Sequence, residues 1–85
     1  MAEETYQLFK YDSCPFCYRV RQYLVQNGIE IPVRDIHTER AALADLVACG
    51  GRRSVPCLRI ERKDDVEWMY ESLDIMLYLK EKYGL

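Results

Sequence analysis

Cys14 and Cys17 stand in the stretch Cys14-Pro15-Phe16-Cys17, two thiols three positions apart with a proline between them. Residues three apart share a helix face, so this spacing lets the sulfurs meet and close a disulfide. The thiolate is the nucleophile in such exchange, and a free thiol with a pKa of about 8.5 is only a few per cent thiolate at neutral pH. A thiol at a helix start faces unpaired N–H groups and the positive end of the helix dipole, which favour the charged form. Each unit of depression reflects about 1.4 kcal/mol of preferential thiolate stabilisation. Cys14 is the expected nucleophile, and Cys17, one turn deeper and less exposed, the expected resolving thiol. Pro15 fixes the backbone between them, and Phe16 adds an apolar lip. Nearby charges are mixed: Lys10, Arg19 and Arg21 favour a thiolate, and Asp12 opposes it. Two other readings of the pair are a structural zinc site and plain burial. Zinc needs two further ligands, and Cys49, Cys57 and His37 are the candidates, none at a second C-x-x-C or H-x-x-x-H spacing.

These thiols depend on the elements that hold them. Thr5 to Lys10 alternates and is rich in β-formers, which predicts a first strand. Pro15 to Asn27 turns helical, with Phe16, Val20, Tyr23 and Leu24 on one face, Pro15 in the first turn and Asn27-Gly28 as the stop. Ile29 to Ile36 is a second apolar strand, with Pro32 pointing to an edge position or a late start. Thr38 is the expected N-cap of an Ala-rich helix to Cys49, its buried stripe Leu43, Leu46 and Val47, and Gly50-Gly51 ends it. Val55 to Glu61 reads as a third strand, Lys63-Asp64-Asp65 as a hairpin turn and Val66 to Tyr70 as the return strand. Ser72 is the expected cap of a last helix to Tyr83, with Ile75, Met76, Leu79 and Tyr83 inward. The order is β-α-β-α-β-β-α, an α/β fold. Its first β-α-β is a right-handed parallel crossover and its last two strands an antiparallel hairpin, giving a four-stranded mixed sheet flanked by helices on both faces. Cys14 falls where the first strand ends and the first helix begins.

Composition narrows the function classes. The 85 residues have room for one domain, residues 1–85, and their 49% apolar and 31% charged content is a globular balance. Twelve Lys and Arg against fourteen Asp and Glu leave −2, which excludes a strongly basic nucleic-acid or membrane-surface protein. No apolar run approaches the roughly eighteen residues that span a bilayer. Met1-Ala2-Glu3-Glu4 lacks the charged-then-apolar order of a secretory signal. Four unevenly spaced cysteines without an export signal argue against a stapled secreted scaffold and for a reducing cytoplasm. Cys57 is expected in the sheet core, Cys49 packed or partly exposed at a helix end, and His37 in a loop.

Cys14-Pro15-Phe16-Cys17 after a strand, Ser54-Val55-Pro56 about forty residues later, and an acidic-Ser helix start near the end together resemble a glutaredoxin. The resemblance covers nearly the whole chain and implies a thioredoxin fold. It also implies glutathione-dependent reduction of protein disulfides and glutathione mixed disulfides. In it Cys14 matches the attacking thiol, Cys17 the resolving thiol and Pro56 the family's cis-proline. Val55 would then pair its N–H and C=O with the cysteinyl part of glutathione, like an added strand. Glu71 and Ser72 match the region that holds the γ-glutamyl end, where free helix N–H groups receive a carboxylate. Arg52 matches a basic residue near the glycine carboxylate, a role open to Lys10 as well, and Tyr11 and Phe16 are expected to line the cleft. Tyr11 stands where many members have Lys, and Phe16 where Tyr is common. Tyr70-Glu71-Ser72-Leu73-Asp74-Ile75 and Tyr78-Leu79 look more like the N-terminal domain of glutathione transferases, which carry a second, all-helical domain.

The reading is thus a glutathione-disulfide oxidoreductase of the transferase-related branch. Glutathione is its co-substrate and disulfide or glutathionylated proteins its partners. It has no bound metal or prosthetic group, no nucleic-acid or membrane partner, and is a monomer by default. Three alternatives are weighed against it. One is an iron–sulfur carrier holding a cluster through Cys14 and glutathione from two chains. Another is a glutathione-independent redoxin reduced by a flavoprotein reductase. The third is a pure binding module.

Overall fold

A computed structural model describes residues 4–84, so the acidic opening Met1-Ala2-Glu3 and the terminal Leu85 lie outside the described residues. Alternation in Thr5-Tyr6-Gln7-Leu8-Phe9-Lys10 becomes strand β1, Thr5–Lys10. Cys14 is the N-cap of helix α1, Pro15–Gln26, with Pro15 in the first turn and Asn27 as the C-cap. Strand β2 is shorter than expected, Val33–Asp35. The missing start has a cause: the Ile29 N–H donates to the Leu24 carbonyl at 2.9 Å, so Ile29 finishes α1 and packs in the core instead of joining the sheet. Pro32 lends only its carbonyl, which accepts from the Leu8 N–H at 2.9 Å. β2 is accordingly an edge strand, where a residue without an N–H is tolerated.

Helix α2, Arg40–Asp45, runs on as a π-helical turn, Leu46–Gly50, closed by Gly51 in the left-handed region at φ 86°. The N-cap is Glu39, not Thr38, and its carboxylate makes no capping bond because it pairs with Arg34 at 2.8 Å. The buried stripe is Ala42 and Leu46 with Leu43 partly covered, while Val47 is exposed. Helical spacing centred on Ala42 and Leu46 turns Val47 to the far flank. Strand β3 is Cys57–Glu61, β4 is Val66–Met69, and helix α3 is Ser72–Tyr83. Glu71 is the α3 N-cap and Ser72 its first helical residue, so the expected cap falls one position late. Ile75 and Leu79 point inward, Met76 is half-buried and Tyr83 is exposed.

The sheet order is β2-β1-β3-β4, with β1 and β2 parallel and the other two pairs antiparallel. Two cores lie on its two faces. Leu8, Leu58 and Ile60 meet Val20 and Leu24 of α1 and Ile75 and Leu79 of α3 on one side. Phe9 and Cys57 meet Ile36 and, from α2, Ala42 and Leu46 on the other. Period-two alternation along β1 therefore decides what the site receives: Leu8 and Lys10 face α1, and Phe9 faces α2.

Candidate active site

The site forms where β1 hands the chain to α1. The Tyr11 carbonyl accepts the Cys14 N–H at 3.3 Å, which tucks Cys14 against the end of the strand. As N-cap, the Cys14 Sγ accepts the Cys17 N–H at 3.3 Å. The sulfur thus takes up one of the N–H groups that a helix start leaves without an intrahelical partner. On the facing loop the Val55 carbonyl lies 3.9 Å from the Cys14 Sγ, which donates to it as a thiol. The Val55–Pro56 peptide bond is cis. Both thiols are free; Cys14 is 4% exposed and Cys17 1%. Burial, then the bond with Cys14, holds Cys17 up at about 12, against the opposing pull of the Tyr11 backbone and Lys10.

Beside the dithiol opens a cavity of about 550 Å³ lined by Phe16, Val55, Pro56, Tyr70, Glu71 and Ser72 among others. Five of the sequence-derived residues thus meet in one place: Phe16 on α1, Val55 and Pro56 on the loop before β3, and Glu71 and Ser72 at the head of α3. Phe16 is 54% exposed, so it forms a lip and leaves the buried face of α1 to Cys17, Val20 and Leu24. Arg52 is exposed, its guanidinium 4.7 Å above the ring of Tyr70.

Two expected cleft residues are placed elsewhere. Lys10 is buried at the end of β1, between Asp12 at 2.5 Å and Asp35 at 3.1 Å, so its ammonium is not open to a ligand carboxylate. Tyr11 packs on the α2-side core and stacks on His37 with ring centroids 4.4 Å apart. Alternation gives the reason, since Lys10 faces α1 and the next residue must face α2. Cys57 is fully buried, and burial pushes its thiol up to about 12. Cys49 is exposed at the end of α2. Neither approaches Cys14 and Cys17 as a ligand set: among the described residues, no three His, Cys, Asp or Glu side chains converge.

Sequence reasoning missed Tyr70. Its ring lines the cavity, its hydroxyl donates to the Arg52 carbonyl at 3.4 Å, and a Cβ on Gly50 would stand 2.5 Å from that hydroxyl. The readable signal was Gly50, a glycine inside a helical turn, which marks a close approach. Arg19, Ser54, Leu73 and Asp74 also line the cavity without having been singled out for it.

A mixed four-stranded sheet with helices on both faces and a dithiol heading its first helix defines a thioredoxin-like protein. The chain belongs to the family of glutathione S-transferase N-terminal domains, which its residues 8–85 match. Glutaredoxin 2 of Escherichia coli (strain K12) is 30% identical over 78 residues, 92% of this chain and 34% of that protein. The chain therefore spans about a third of the length of the curated relatives it matches. Among solved structures, a maleylacetoacetate isomerase from Anaeromyxobacter dehalogenans 2CP-1 with bound GSH in its active site superposes with a TM-score of 0.71 at 23% identity, over 99% of this chain and 40% of that one. A glutaredoxin from Archaeoglobus fulgidus gives 0.62 at 21% identity, over 89% and 82%. At these identities the likeness is one of fold.

Proposed function

We propose that this chain is a glutathione-dependent thiol–disulfide oxidoreductase with Cys14 as nucleophile and Cys17 as resolving thiol. The observation that carries the reading is the position of Cys14: an N-cap sulfur that accepts a helix N–H and faces the carbonyl of Val55, a residue that lines the cavity of about 550 Å³. The Cys14 thiolate attacks the glutathione sulfur of a mixed disulfide. A Cys14–glutathione bond forms, the substrate sulfur leaves as thiolate, and it takes up a proton. A second glutathione then attacks that adduct and departs as oxidised glutathione, restoring Cys14. With a protein disulfide, Cys17 displaces the substrate by closing the Cys14–Cys17 bond, which two glutathiones reopen.

Val55 offers backbone groups for the cysteinyl part of glutathione, as an added strand does. Glu71 and Ser72 stand at the head of α3, whose unpaired N–H groups suit the γ-glutamyl carboxylate. Arg52 is held over Tyr70 for the glycine carboxylate, and Phe16 gives the apolar rim. One chain supplies all these groups, so a monomer suffices. Thiols kept free for this chemistry belong in a reducing compartment, the cytoplasm.

The test is glutathione-coupled reduction of a glutathionylated peptide. Cys14→Ser loses more than about a hundredfold of turnover, because no nucleophile is left. Cys17→Ser keeps turnover within a few-fold, since glutathione resolves the adduct. A wild type that does not turn over overturns the reading.

A further inference from the structure

A second groove, of about 740 Å³, opens on the α2 side of the sheet, and the exchange chemistry above leaves it without a task. Its apolar lining comes from Ile36, Leu43 and Ala44, and its exposed basic residues are His37, Arg40 and Arg53. No acidic residue lines it. The acids nearest in sequence are spent elsewhere: Asp35 on Lys10 at 3.1 Å and on the His37 N–H at 2.8 Å, and Glu39 on Arg34 at 2.8 Å. Arg40 and Arg53 form no ion pair among the described residues, whereas Arg34, Arg59 and Arg62 all do. Two permanent, unpaired cations therefore share one recess on a chain whose formal net charge is −2. Two short paths tie that recess to the dithiol. The His37 ring stacks on that of Tyr11 with centroids 4.4 Å apart, and the Tyr11 carbonyl accepts the Cys14 N–H at 3.3 Å. Arg53 stands two residues ahead of Val55, whose carbonyl lies 3.9 Å from the Cys14 Sγ.

We propose that this groove docks an acidic stretch of the protein whose mixed disulfide Cys14 attacks, so that the chain selects substrates by the residues flanking their cysteine; the inference deepens the proposed function and rests on it. The glutathione half of such a disulfide goes to the cavity at the head of α3, and the protein half leaves Cys14 in another direction. Arg53 is about 7 Å of extended chain from Val55, so side chains two to four residues from the substrate cysteine reach the groove. Their carboxylates meet Arg40 and Arg53, whose planar forks match a carboxylate, and an apolar side chain among them covers Ile36, Leu43 and Ala44. A small inorganic anion leaves that apolar lining uncovered. Two cations on a chain of net charge −2 are too few to hold a nucleic-acid backbone. Exposed ion pairs are weak singly, so the groove serves choice among substrates and not tight capture. No bond is made or broken there, and the sulfur exchange runs as described above.

The experiment measures glutathione-coupled turnover of three glutathionylated peptides that differ only at positions two to four residues from the cysteine. One carries Asp and Glu beside a leucine, the second Asn and Gln beside it, and the third lysines beside it. In the wild type kcat/KM for the acidic peptide stands about fivefold above that for the amide peptide, and the lysine peptide is the poorest. The advantage shrinks at about 0.5 M salt, because exposed charges are screened. Arg40→Gln with Arg53→Gln removes the advantage and leaves the amide peptide at its wild-type rate. Arg40→Glu with Arg53→Glu moves the preference to the lysine peptide. Equal turnover of the three peptides by the wild type, or a preference that survives in the double glutamine variant, overturns the inference and leaves the proposed function standing. A glutamine variant that loses the amide peptide as heavily as the acidic one assigns the two arginines to glutathione itself, which also overturns the inference. A wild type that turns over none of the peptides overturns the proposed function and the inference with it.

Discussion

At the scale of single residues, the close approach at Gly50 links packing to the proposed glutathione site. A methyl there would stand 2.5 Å from the Tyr70 hydroxyl and 2.9 Å from Cε3 of Trp68. Trp68 cannot yield freely, because its ring leans on Phe9 with centroids 5.4 Å apart. Tyr70 must therefore shift, and with it the ring beneath Arg52. Gly50→Ala is expected to cost about 1–3 kcal/mol, as overpacking does, and to raise the Michaelis constant for a glutathionylated peptide more than it changes the turnover number. Urea melts and steady-state kinetics on the same variant check this; an unchanged Michaelis constant would detach Tyr70 and Arg52 from glutathione. Cys57 supplies the contrast. It sits fully buried among Phe9, Ile36, Ala42 and Leu46, a small apolar group beside the cleft with no access to it. Cys57→Ala should lose about 1 kcal/mol of stability and leave disulfide turnover at the wild-type level; a variant that folds but has lost turnover would show a third working thiol.

At the scale of elements, the division of the sheet into two cores governs both stability and what could be read beforehand. Leu24 fixes α1 to Leu58, Ile75 and Leu79. Leu24→Ala should cost about 2–5 kcal/mol, seen as a lower denaturant midpoint with Cys14 still reactive in the folded fraction. β1 and α1 were legible because their signals are local: alternation in Thr5–Lys10, and Pro15 and Asn27-Gly28 at the two ends of a helix. β2 was over-read because Ile29 and Ile31 look like strand residues, while Ile29 is committed to the end of α1 by a hydrogen bond that no pattern of apolar residues announces. The α2 stripe was read one position late for a related reason. Its C-terminal turn widens to a π-helical one, and its N-cap carboxylate is drawn away by Arg34, neither of which the spacing of apolar residues announces. The dithiol and the Val55–Pro56 loop were legible from residue types and their order alone. Lys10 and Tyr11 were not, since both were read as near the cleft and only the alternation of β1 separates them, one under α1 and the other toward α2.

At the scale of the whole molecule, the end of β1 far from the dithiol is tied down by Glu4. Its carboxylate accepts from the hydroxyls of Tyr6 and Tyr78 at 2.8 and 2.7 Å and from the Arg62 Nε at 2.7 Å, with Lys82 at 3.7 Å. Arg62 continues to Asp65 at 3.2 Å and Glu67 at 2.9 Å, so one cluster joins the approach to β1, the β3–β4 hairpin and α3. Burial alone would push the Glu4 carboxyl up, but the bonds from Tyr78, Arg62 and Tyr6 outweigh it and hold the pKa at about 2. An acid whose pKa is lowered by folding adds stability above its unfolded value. That contribution is full above about pH 4.5 and drains away as the pH falls toward 2. With only 8% of the Glu4 side chain exposed but its cationic partners partly in water, the gain is on the order of 2 kcal/mol. Glu4→Gln should therefore be less stable than the wild type by about that amount at neutral pH, with the gap closing between pH 4.5 and 2. Six residues of strand, about 20 Å, separate the cluster from Cys14, so turnover at neutral pH should not change while the variant stays folded. Urea unfolding of both proteins at several pH values isolates the effect, because the other carboxylates contribute equally to each curve and cancel in the difference. A gap that stayed constant down to pH 2 would mean that Glu4 acts by shape and not by charge.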